Sequence, residues 1–117
     1  MSDHLDAVGA ALQALDTATL VGLYANELVF EDVAAGTTIT TRDELRGYFE
    51  GLFSMRDVRF TEVCFFQCEK RGAGTWLWSG TNQQGEAFSV RGASIFELDE
   101  GGIRRESILY DPQPAFG

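Results

Sequence analysis

The sequence holds one lysine, Lys70, one histidine, His4, two cysteines and two prolines. Each shortage removes a class of function. Nine basic residues against eighteen acidic ones leave a formal charge of −9. Binding phosphates needs clustered Lys and Arg, and the pair Arg104-Arg105 is too small a patch. Nucleic acid and anionic membranes are therefore not expected partners. A lone histidine and two cysteines supply too few ligands for a zinc site, so no metal is expected. Cys64 and Cys68 lie four apart in a strand-forming run, which sets their Cα atoms roughly 13 Å apart, beyond disulfide reach. They are expected to be buried thiols, as suits a reducing compartment. No apolar run approaches the roughly 20 residues that span a bilayer. Met1-Ser2-Asp3-His4 lacks the basic and apolar segments of a signal peptide. The expectation is a cytoplasmic protein.

What is present is a core. Hydrophobic residues make up 44% of 117 residues, enough for one ordinary domain over 1–117. Leu5, Val8, Leu12 and Leu15 recur at helical spacing, with alanines between them. Asp16 can cap a second, short helix carrying Leu20, Leu23 and Tyr24 on one side. Leu28 to Val33 is rich in strand formers, and Ala34 to Thr40 reads as a loop. Thr41-Arg42-Asp43-Glu44 is a capping box, followed by Leu45, Tyr48, Phe49, Leu52 and Phe53 at helical intervals.

After Ser54 the period changes to two. Val58 to Glu69, Gly74 to Thr81, Ala87 to Leu98 and Ile103 to Tyr110 read as four strands. The breaks between them carry turn residues: Arg71 to Gly74, Asn82 to Gly85, and Asp99 to Gly102. Breaks this short favour antiparallel hairpins. Neither face of Ala87 to Leu98 is strongly polar, so both are expected to be covered, one by helices and one by another subunit. Pro112 and Pro114 end the last strand and begin an irregular tail. Helices first and a meander of strands afterwards is an α+β pattern.

This order resembles the nuclear transport factor 2-like superfamily, and within it the SnoaL-like group, similar to polyketide cyclases and ketosteroid isomerases. The resemblance rests on Asp16-Thr17-Ala18-Thr19-Leu20-Val21-Gly22-Leu23-Tyr24-Ala25, on Val29-Phe30-Glu31-Asp32, and on Arg42 to Phe49. At the end, Phe96-Glu97-Leu98 leads through Gly101-Gly102-Ile103 to Tyr110-Asp111. It covers about residues 5–111. It implies a cone of three N-terminal helices packed into a curved, mostly antiparallel sheet, with no organic cofactor and a homodimer through the sheet.

Asp32 occupies the place of the ketosteroid isomerase base, at the end of the first strand. The place of their oxyanion tyrosine resembles Val8, which has no hydrogen to donate. Ser94 falls near their second oxyanion donor. Limonene epoxide hydrolases are similar too, but their catalytic positions resemble Trp78, Gly80 and Ile108 here, so that machinery is absent. The histidine–aspartate pair of SnoaL cyclases is absent as well.

The candidate base is Asp32, partly desolvated between Phe30 and the helix at Leu45 to Phe53, where a carboxylate suits removal of a proton α to a carbonyl. Its bland role is to bond the backbone of the following loop. Phe30, Tyr48, Trp78, Ser94, Ile108 and Tyr110 are the candidate lining of a pocket for a small apolar molecule. Ser94, Tyr110 or water would steady an enolate. Trp76 shares a face with Trp78 and is expected in core or interface. Glu106 alternates with Ile108 and Tyr110 and is expected to pair with Arg91 or Arg104 across the sheet. The functional expectation is an isomerase or cyclase acting by proton transfer. Its alternative is a ligand-binding or dimeric interaction protein of the same fold.

Overall fold

Backbone donors and acceptors must be paired, and the described residues pair them in three helices, a six-stranded sheet and a short terminal helix. The computed structural model describes residues 4–116; the reading of Met1 to Asp3 lies outside them. Leu5, Val8 and Leu12 turn α1 (His4–Gln13) inward. Asp16 caps α2 (Thr17–Gly22) by accepting from the Thr19 amide. Thr41 caps α3 (Arg42–Phe53), accepting from the Glu44 amide at 3.1 Å while its hydroxyl meets the Glu44 carboxylate. No helix among the described residues is long and apolar enough to cross a membrane.

The strands are β1 (Tyr24–Asp32), β2 (Thr37–Ile39), β3 (Arg59–Cys68), β4 (Arg71–Thr81), β5 (Ala87–Asp99) and β6 (Gly102–Leu109). Their order is β2-β1-β6-β5-β4-β3. All neighbours are antiparallel except β1 and β6. Register shifts interrupt β1, β3 and the β5–β6 pair. In β3 the shift falls at Glu62, whose φ is 49°. Bulges bend strands, and here they let the sheet curl around the helices. This is the expected α+β cone.

Several local expectations are corrected. Tyr24 begins β1 and does not lie on α2. Thr37–Ile39 is a strand, because Ile39 pairs with Phe30 and is buried. Arg71 to Gly74 is no turn: the chain reverses at Glu69 and Lys70, Glu69 at φ 58°, and these residues open β4. Gly74 is there for close approach, since a Cβ would collide with the Cys64 carbonyl and the Phe65 ring. The tail is not irregular: Gln113–Phe116 forms α4, with Pro114 in its first turn where no amide is needed.

Cys64 and Cys68 are free and exposed, not buried. They share the outer face of edge strand β3 with Glu62 and Phe66, and the alternation of β3 points them away from the helices. On β5, Phe88, Val90, Ser94, Phe96 and Leu98 face the core, whereas the opposite face is open in the single chain, Ile95 being 55% exposed.

Candidate active site

Aromatic residues build the wall of an interior chamber. Phe30 on β1 meets Tyr48 on α3 at 5.0 Å between ring centroids. Phe49 stacks on Phe53 at 5.6 Å, Phe53 meets Phe60, and Phe60 meets Trp76. Tyr110 closes the circuit against both indoles, 6.2 Å from Trp76 and 5.8 Å from Trp78. The Trp76 ring lies over Gly92, directly opposite on β5, where any side chain would strike it. α1 also packs on the sheet, with Leu5 against Gly72 and Gly9 beside Val63. A cavity of about 830 Å³ remains between helices and sheet.

All seven residues singled out from the sequence line this cavity: Phe30, Asp32, Tyr48, Trp78, Ser94, Ile108 and Tyr110. Trp76, expected in the core or an interface, lines it as well. Asp32 is 3% exposed. Its Oδ2 accepts from the Tyr48 and Tyr110 hydroxyls, each at 2.9 Å. Its Oδ1 accepts from the Ala35 amide at 3.1 Å, so it also holds the loop after β1. These three donors leave one of the roughly four acceptor sites of an ionised carboxylate open. Burial, then the charge of Asp32, holds the Tyr48 hydroxyl far above its ordinary pKa. Burial, then the bond to Asp32, does the same to Tyr110. Both phenols therefore stay donors at any ordinary pH.

Glu106 is the residue the sequence reading placed wrongly. It is 6% exposed and lines the cavity. Arg91 pairs instead with Glu62 at 2.9 Å and Arg104 with Glu97 at 3.1 Å, all on the outer surface. The Glu106 carboxylate accepts from the Tyr24 hydroxyl. Burial pushes its pKa up from 4.5 to about 7, with hydrogen bonds from Tyr24 and Ser94 pulling the other way. Tyr24 is raised well above its ordinary value, by burial first and Glu106 second. The signal was in the sequence: Glu106 shares parity with Ile108 and Tyr110, both already assigned inward. A buried tyrosine–carboxyl pair thus exists, but the tyrosine comes from β1, not from the Val8 position on α1.

The hydroxyls of Ser94 and Tyr110 are already engaged, Ser94 with Glu106 and with the Trp76 indole at 2.9 Å, Tyr110 with Asp32. Neither is free to steady an enolate. Among the described residues, two buried side-chain polar atoms have no partner, Arg42 Nε and Trp78 Nε1. An unsatisfied buried donor costs about 1–3 kcal/mol. Among the described residues, no group of three or more His, Cys, Asp and Glu is placed to hold a metal ion.

A curved sheet closed over three helices, with carboxylates and aromatic rings facing inward, defines a cone-shaped α+β pocket domain. The chain belongs to the SnoaL-like domain family, whose model matches residues 5–106. Its fold is similar to that of a hypothetical protein with a ketosteroid isomerase-like fold from Catenulispora acidiphila DSM 44928, in complex with trimethylamine. The two share 19% identity over 98% of this chain and 90% of that one, with a TM-score of 0.83. A candidate polyketide cyclase from Pseudomonas putida KT2440 is similar at 16% identity, 95% and 91% coverage and a TM-score of 0.80. An NTF2-like protein of unknown function from Mesorhizobium loti is similar at 22% identity, 92% and 88% coverage and a TM-score of 0.75. At such identities the likeness is one of fold. No curated protein matches the sequence.

Proposed function

We propose that the chain is a cofactor-independent isomerase or cyclase that moves a proton on a small apolar carbonyl compound. The observation that carries this reading is the pair of buried carboxyl groups in one apolar cavity, each bonded to tyrosine but differently set. Asp32 faces three donors and serves as the base, taking a proton from the carbon α to the carbonyl. Glu106, raised to about 7 by burial, is half protonated there and increasingly neutral as pH falls, and its neutral form donates to the carbonyl oxygen as the enolate forms. Tyr24 orients it. The proton then returns from Asp32 to carbon, at the same or a conjugated position, and the substrate is released isomerised or closed.

The test is hydrogen–deuterium exchange of a panel of apolar ketones in D₂O, followed by mass spectrometry. Exchange is expected with the native chain and is expected to fall about 10²–10⁴-fold in Asp32→Asn. Binding without exchange by any member of the panel would make the cavity a receptor for ligands instead. The outer face of the sheet supports a second proposal, a homodimer through that face, since Phe66, Ile95 and Leu109 are 64%, 55% and 42% exposed on it.

A further inference from the structure

The Trp78 indole is the one cavity-lining side chain, among the described residues, with a buried polar atom that bonds nothing. The residue is 3% exposed and its indole nitrogen is buried. The other tryptophan differs: Trp76 gives its N–H to Ser94. An idle buried donor in a cavity wall is a place where a bound molecule can supply the missing acceptor.

The neighbouring rings place the indole in the wall of the cavity. Trp78 touches three rings. Phe88 lies 4.9 Å away and belongs to the core. Tyr110 lies 5.8 Å away and is tied to Asp32. Phe116, on the short helix α4, lies 5.9 Å away and is 60% exposed. Phe116 is the ring that can move aside without breaking the core or the Asp32 network. Trp78 therefore marks the Asp32–Tyr110 side of the cavity, where Phe116 leans on its edge. Glu106, bonded to Tyr24 and Ser94, marks a separate polar point.

We propose that Trp78 is a specificity-determining residue whose indole N–H donates to a second oxygen of the substrate, so that the preferred substrate is a compact apolar compound carrying two oxygen acceptors, not one. This rests on the proton-transfer reading of the cavity, in which the first oxygen meets Glu106. No covalent step involves Trp78.

The probes are decalin-1,5-dione, the monoketone 2-decalone and decalin itself, which share a skeleton. The chain has two tryptophans, so its ¹⁵N–¹H spectrum shows two indole peaks, assigned with Trp78→Phe. The dione is expected to move the Trp78 indole peak downfield, and decalin to leave it in place. Trp78→Phe is expected to weaken the dione about tenfold and the monoketone less than twofold. The native spectrum keeps the test valid even if that variant folds poorly. Dione binding with the Trp78 indole peak unmoved would overturn the proposal and assign the N–H to the face of a neighbouring ring. Monoketone exchange lost in Asp32→Asn would meanwhile leave the proton-transfer reading standing. A moving indole peak without any exchange would sink that reading and keep Trp78 as a ligand contact. Failure of every probe to bind overturns both.

Discussion

Two carboxyl groups of similar burial are set apart by what donates to them. Glu106 has an elevated pKa, and its consequence for stability is opposite to that of a salt-bridged acid. Below pH 4.5 it is protonated folded or unfolded, and above about 7 it is ionised in both states, with the folded state carrying a buried charge. The folded state therefore loses stability as pH rises from 4.5 through 7. A rise of this size corresponds to about 3 kcal/mol. Thermal melts are expected to fall by roughly 10 °C between pH 4.5 and 8 from this group, and Glu106→Gln should flatten that fall. Activity is expected to follow the same limb, declining above pH 7, where the neutral donor disappears. Tyr24→Phe removes a bond that favours the charged form, so the inflection should move to higher pH, readable in pH–rate profiles.

Elements hold these groups through contacts as local as a cap and as distant as a cross-strand pair. α3 carries Tyr48 to Asp32, and its start depends on Thr41. Thr41→Ala should cost about 1 kcal/mol in urea denaturation. The β4–β5 pair depends on Gly92, which leaves room for the Trp76 ring. Gly92→Ala forces that indole off its rotamer and should cost about 1–3 kcal/mol, with the Trp76–Ser94 bond lost from the indole spectrum. Exposed ion pairs such as Arg91–Glu62 contribute little by comparison.

At the scale of the molecule, the sheet has a face turned to the cavity and a face turned outward. Register sets Phe66, Ala73, Ile95 and Ser107 in one row across four strands, and Cys64, Thr75, Ala93 and Leu109 in the next. Small and apolar side chains fill both rows, flanked by the pairs Arg91–Glu62 and Arg104–Glu97. If this face joins two copies, Ile95→Glu should convert a sedimenting dimer to a monomer. Cys64 should then react with thiol reagents faster in the variant than in the native chain. Equal rates and a native monomer would dismiss the dimer.

Periodicity alone told α1, α3 and the four long strands, because each buries one face and writes it as a spacing of 3.6 or 2. The end of β1 at Asp32 and its inward aim were legible for the same reason. The role of Glu106 was not, although its parity was, since nothing local tells whether a carboxylate in an inward position finds an arginine or a tyrosine. That was decided when parallel pairing of β1 with β6 set Tyr24 opposite Ile103, within reach of Glu106 eighty-two residues along the chain. The glycines at 72 and 74 read as a turn until the approach of α1 and β3 explained them. The sequence by itself determined the alternation that gives each strand and helix an inner face, though it did not show that Cys64 and Cys68 lie on the outer one. Only the tertiary structure decided which inward side chains meet, because hydrogen-bond partners and desolvation depend on distances between strands that no spacing along the chain records.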